Sequence, residues 1–228
     1  MNLAVSQLHY TILSEIVANG YAPTVDNLAA IFQRSKDDII KCLKDLEEYH
    51  GVVLHPKTSE VWIIHPFSLS PTNFWVKSSK GQWWGNCAWC SLGIASIIKE
   101  DVTITTTLGG ENKQITFQIK DGKILSDQPL FIHFPIPMKN AWDNVILTCS
   151  VMLVFSSEEE IEHWCQRHHY PKGDVQTIEN IWNFAKVWYG NHLDQHWTKW
   201  TNEQAKDLFQ QFNLTHDIWK IPDTKKTF

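Results

Sequence analysis

The chain has 228 residues, 43% of them hydrophobic and 20% charged, with twelve tryptophans and a formal net charge of −5. That balance excludes a disordered chain and argues against a polyanionic partner. No run approaches the roughly 20 apolar residues of a membrane span, and residues 1–10 lack the basic start and apolar stretch of a signal peptide, so no membrane partner and a cytoplasmic location are expected.

Apolar residues at Leu8, Ile12, Ile16 and Val17 predict a helix over 5–18, with Gly20 beyond its end. Thr24 reads as the N-cap of a helix over 25–32. Ser35, with Asp38 three residues later, caps a third helix whose buried side is Ile39, Ile40, Leu43 and Leu46. Two short strands, 52–54 and 61–64, flank a turn at 56–59. Three helices and a hairpin are the order of a winged helix-turn-helix. The would-be recognition helix carries Asp37, Asp38, Asp45, Glu47 and Glu48 against Lys36, Lys41 and Lys44, an acidic excess that disfavours nucleic acid as a partner.

Two prolines and two serines mark 66–72 as a linker. A hairpin at 74–84 then leads into an apolar helix that begins near Cys87 and Cys90. Period-two patterning predicts strands at 102–107, 115–119, 123–125 and 130–134. The apolar run 145–155 is expected as a central strand. Helices at 158–168, 177–189 and 202–212 complete the chain. The expected fold class is α+β: a winged-helix-like domain over 1–65, a linker over 66–72, and over 73–228 a mixed domain in which an antiparallel sheet packs against helices.

Five cysteines, an odd number, favour usable thiols over a disulfide framework. A thiol in the first turn of a helix meets unpaired N–H groups and the positive end of the macrodipole, which makes Cys90 a candidate nucleophile or soft-metal ligand. Cys87 and Cys90 form a CxxC, readable also as a redox pair or half a zinc site, although no second CxxC completes four zinc ligands. Cys149, in the apolar run, reads equally as an inert core residue. Cys165, near His168 and His169, lies on a helix expected to be exposed, and Cys42 lies in the acidic helix. Trp75, Trp83, Trp84 and Trp89 are candidates for an apolar pocket, with Trp84 and Trp89 preferred, or for core packing.

Ala88-Trp89-Cys90 entering an apolar helix, Cys149 with Val154-Phe155 beyond it, and Trp164 fifteen residues after Cys149 together resemble the organomercurial (alkylmercury) lyase family. The resemblance implies protonolysis of a carbon–mercury bond: one cysteine captures the organomercurial, a second joins it, and an aspartate three residues after the first relays a proton. Cys90 and Cys149 match the thiols, but the aspartate position is Gly93. Cys87, Ser91, His133 and Asp143 are the candidate substitutes as proton donor, Cys87 also as a third thiol on the metal. No cofactor is expected, mercury being bound as substrate and product. The expected partner is a small organometallic or other soft electrophile, and a homodimer is left open. The alternatives are a non-catalytic binder of Hg²⁺ or Cu⁺ through Cys87, Cys90 and Cys149, and a metal-responsive DNA-binding regulator.

Overall fold

The computed structural model describes residues 4–222. Helices α1 (Val5–Asn19), α2 (Val25–Phe32) and α3 (Lys36–Glu48) come first, followed by strands β1 (Val53–Leu54) and β2 (Val61–Ile64). Local chemistry sets their limits. Gly20, at φ 80°, closes α1 in the left-handed region, and its N–H bonds Ile16 O. Thr24 caps α2 in a full capping box with Asn27, and the Ser35 side chain accepts from Asp38 N. Leu8, Ile12, Leu28, Ile39 and Leu43 are fully buried between these helices, each contributing about 1.5–3 kcal/mol of apolar burial.

Seven more strands follow in part of the chain rich in β-branched residues: β3 (Phe67–Ser68), β4 (Phe74–Lys77), β5 (Gln82–Gly85), β6 (Val102–Thr107), β7 (Gln114–Lys120), β8 (Lys123–Leu125) and β9 (Phe131–Phe134). The first eight strands form one antiparallel sheet in the order β1-β2-β3-β5-β4-β6-β7-β8. Residues expected to form a linker therefore supply β3, which pairs with β2 on one side and β5 on the other. The Trp83 indole donates to Ile16 O at 2.9 Å and ties α1 to this sheet.

Between β5 and β6 runs α4 (Ala88–Ile98), all eleven of whose residues are buried. A helix apolar on every side belongs in the middle of a fold, and α4 lies between the large sheet and α7 (Ile178–Tyr189). The remaining elements are α5 (Val145–Ser150), β10 (Val154–Phe155), α6 (Glu158–His168), β11 (Asp174–Thr177) and α8 (Asn202–Gln211). A second antiparallel sheet, β10-β9-β11, completes the α+β architecture.

The run 145–155 corrects the sequence reading. It is no central strand: Val145–Ser150 is helical and only Val154–Phe155 pairs, as an edge of the small sheet. Asn144 turns the chain by capping α5 through Leu147 N at 3.0 Å, and Thr148 Oγ1 bonds back to Asn144 O and Ala141 O, both at 3.1 Å. An apolar run this short carries no periodicity that separates helix from strand. Strand β11 also goes unread in the sequence. It follows Gly173, at φ 56°, where an added Cβ would lie 2.1 Å from Phe134 O.

Candidate functional site

The site begins at the first turn of α4. Cys87 is its N-cap, and its sulfur accepts the Cys90 N–H at 3.3 Å. Cys90 is thereby the third helical residue, where free N–H groups and the helix dipole favour a thiolate. The Cys87 thiol donates to Met152 Sδ at 3.5 Å, and Ala88 N–H donates to Met152 O at 3.1 Å. These two bonds fasten the segment after α5 to the mouth of α4 and bring Cys149, in the last turn of α5, beside Cys90.

A ligand nitrogen of His65 and the sulfurs of Cys90 and Cys149 all lie within 4.8 Å of one another. His65 stands just before β3. Its Nε2 is 3.7 Å from Cys149 Sγ and 3.2 Å from Asn86 Nδ2, and Asn86 N donates to Pro66 O at 3.1 Å. With the Asn86 amide donating, His65 Nε2 is an acceptor turned toward the Cys149 thiol. From the other side the Tyr189 hydroxyl reaches to 3.5 Å from Cys90 Sγ. Its ring lies on Gly93: a Cβ there would stand 2.4 Å from Tyr189 Cδ2.

The three thiols are not equivalent. Burial alone would raise Cys90, but its interactions with Cys149 and Cys87, the adjacent His65 and the Tyr189 hydroxyl outweigh it and hold its thiol well below the usual range. Cys87 is pushed well up, by burial first and then by Cys90. Cys149 is raised well up by its bonds to Cys87 and Cys90 and by burial. Cys90 is thus the most readily ionised of the three, set beside two thiols whose ionisation is disfavoured.

These groups wall a cavity of about 90 Å³. Trp89 and Trp188 close it on the α4–α7 side, and Trp142, Trp197 and Trp200 line it elsewhere. Four histidines (His9, His50, His65 and His192) and Lys199 also line it, and no Asp or Glu is among its described lining residues. Burial pushes His192 down to about 3 and Lys199 down to about 7, and drives His9 well below its ordinary range.

The other residues singled out in the sequence lie elsewhere. Ser91 Oγ donates to Ala88 O at 2.7 Å, within its own helix. His133 is buried on β9, with Nε2 2.7 Å from Lys172 O and 3.6 Å from Cys165 Sγ. Cys165 is accordingly buried against the small sheet, not exposed on α6 as the sequence suggested. Asp143 is an exposed turn residue that accepts from Asn140 Nδ2 at 2.7 Å. Trp84 packs on Trp75, ring centroids 4.4 Å apart, in a separate groove shared with Tyr21 and Trp83. Trp89 lies in the cavity wall. His65, Asn86, Tyr189, His192 and Lys199 are absent from the sequence-based candidates, because nothing in local spacing says that residues so far apart meet at one point.

The family model described as alkylmercury lyase matches residues 67–190. No curated protein sequence matches the chain. Among solved structures, the mercury-bound form of MerB2 is similar with a TM-score of 0.64 at 19% identity, covering 84% of this chain and 89% of that one. At that identity the likeness is one of fold.

Proposed function

The chain belongs to the alkylmercury lyase family, and on that premise we propose that it cleaves the carbon–mercury bond of a small organomercurial by protonolysis, with Cys90 and Cys149 as the two sulfur ligands of the metal. The observation that carries the proposal is the meeting of Cys90, Cys149 and His65 within 4.8 Å at the wall of an aromatic cavity. Thiolates suit a soft metal ion, and the aromatic wall suits the organic group that the metal brings with it.

The three ionisation states supply the steps. The Cys90 thiolate attacks mercury in R–Hg–X, the Hg–X bond breaks, and the carrier anion X⁻ leaves. Cys149, still a thiol, then forms the second S–Hg bond. Its proton passes, with His65 Nε2 in position to relay it, to the carbon that takes the electron pair of the breaking C–Hg bond. The products are R–H and mercury held between Cys90 and Cys149, and the atoms balance without a carboxylate, the position-93 residue being glycine. Two external thiols then exchange with the cysteines to carry mercury away. Cys87, protonated and bonded to Met152, holds the first turn in place and can serve as a third sulfur.

Methane release from methylmercury by the purified protein in excess thiol is the test, with Cys90→Ser and Cys149→Ser beside it. Turnover in the parent protein and its loss in both variants is the expected result. Stoichiometric mercury uptake without hydrocarbon release would overturn it in favour of a non-catalytic thiolate binder.

A further inference from the structure

Around the same cavity stands a set of polar atoms that the proposed cleavage does not use. Trp89 Nε1, His9 Nδ1, His192 Nδ1 and Lys199 Nζ are all buried without a hydrogen-bond partner, and all four residues line the cavity. Three of them stand in a connected run, and Lys199 lines the same cavity beside Trp142. The His9 and His192 rings are 5.8 Å apart, Tyr189 lies 5.0 Å from His192 and 5.6 Å from Trp89, and Tyr189 in turn touches Cys90. The Lys199 ammonium lies over the Trp142 ring, 4.9 Å from its centroid, a contact that satisfies none of its N–H donors.

Leaving a buried donor unsatisfied costs about 1–3 kcal/mol, so several round one cavity call for a partner there, water or ligand. Their chemistry indicates what. The indole N–H and the ammonium can only donate, and each imidazole nitrogen can be the donor of its tautomer. No Asp or Glu is among the described lining residues, so the anionic group of the cavity is the Cys90 sulfur, which the mercury itself takes up. Such a wall fits an acceptor-only anion with an apolar body.

We propose that this wall binds a carboxylate carried by the substrate, placed so that mercury is delivered to Cys90 while the carboxylate meets Lys199, Trp89 and the two histidines. The inference rests on the lyase reading for its substrate. Organomercurials in water travel as adducts of thiols, so the carboxylate has two sources: the carrier thiol that leaves, or the organic group itself. As the compound approaches, the carboxylate lies against Lys199 while the electropositive mercury faces Cys90, so the metal stands between the two anions. Lys199, lowered to about 7 by burial in the empty cavity, is drawn to its charged form by the carboxylate.

The test measures capture before cleavage. Stopped-flow quenching of tryptophan fluorescence follows mercury transfer to Cys90 from methylmercury held by mercaptoacetate or, for comparison, by uncharged 2-mercaptoethanol. A second arm compares 4-mercuribenzoate with phenylmercury, both in 2-mercaptoethanol, and so separates the two sources. In at least one arm, capture of the carboxylated compound is expected to be at least about tenfold faster than that of its neutral partner. Lys199→Met brings that ratio close to one, and Lys199→Arg retains most of it. Equal rates in both arms, or a preference unchanged in Lys199→Met, overturns the proposal. Because capture precedes C–Hg cleavage, a carboxylate preference without hydrocarbon release would sink the lyase reading and leave the binding wall standing.

Discussion

The Tyr189 hydroxyl reaches to 3.5 Å from the Cys90 sulfur, and it does so across Gly93, the one residue type at that position that lets the tyrosine ring lie against α4. The space a longer side chain would have taken is filled by a phenol held in the neutral form, raised well above its ordinary range by burial and by the Cys90 charge. A neutral phenol can donate a hydrogen bond to a thiolate, which a carboxylate cannot do.

Tyr189→Phe tests that bond. It keeps the ring on Gly93 and removes the donor, so the Cys90 thiol is expected to titrate at higher pH, seen as an upward move in the pH midpoint of its alkylation by iodoacetamide. A hydrogen bond to a charged group contributes about 1.5 kcal/mol or more, which corresponds to an upward move of about one pH unit in that midpoint.

Gly93→Asp, which installs the carboxylate the family resemblance implies, is expected to harm rather than help. Its Cβ would collide with the Tyr189 ring at 2.4 Å, and overpacking of this kind costs about 1–3 kcal/mol. The urea midpoint should fall. Pairing the change with Tyr189→Ala should destabilise by less than the sum of the two single effects, a coupling that a double-mutant cycle measures.

Stability should decline on the acid side. His192 is held to about 3 in the folded chain, against 6.5 for an ordinary histidine. Between those values the unfolded chain binds a proton that the folded one refuses. Stability is therefore complete above about pH 6.5 and drains as pH falls toward 3, at about 1.4 kcal/mol per unit. Lowering pH from 6.5 to 5 should cost about 2 kcal/mol through this residue, and His9, also depressed by burial, adds in the same direction. Urea melts at the two pH values check the slope, which His192→Gln should flatten.

The cavity volume of about 90 Å³ sets the size of the organic group. Apolar cavities that accept benzene measure about 150 Å³. Methylmercury should therefore be turned over with a higher kcat/KM than phenylmercury, and Met138→Ala, which shortens a buried lining residue, should move the ratio toward phenyl several-fold.

What the sequence disclosed was what near neighbours decide. Thr24, Ser35, Ser157, Thr177 and Thr201 each cap the helix they precede, and the alternation Val102-Ile104-Thr106 on the buried side of β6 follows from the pleat. Cys87 and Cys90 were legible as a pair at a helix start because the cap spans three residues. The surroundings of Cys149 were not. Its helix depends on Asn144 overriding an apolar run, and its approach to Cys90 depends on two bonds between residues distant in sequence, the backbone bond from Ala88 N–H to Met152 O and that from the Cys87 thiol to Met152 Sδ. The positions of His65 and Tyr189 come from β3 joining the large sheet and from α7 lying on Gly93, both tertiary facts with no local signature.

That tether has a mechanical corollary. A mercury atom gripped by positions 90 and 149 would cross-link the chain across some 60 residues, and in chain-entropy terms a clasp of that span is worth about 4 kcal/mol. Product formation would thus hold the folded chain against unfolding, and the urea midpoint should rise once mercury is bound.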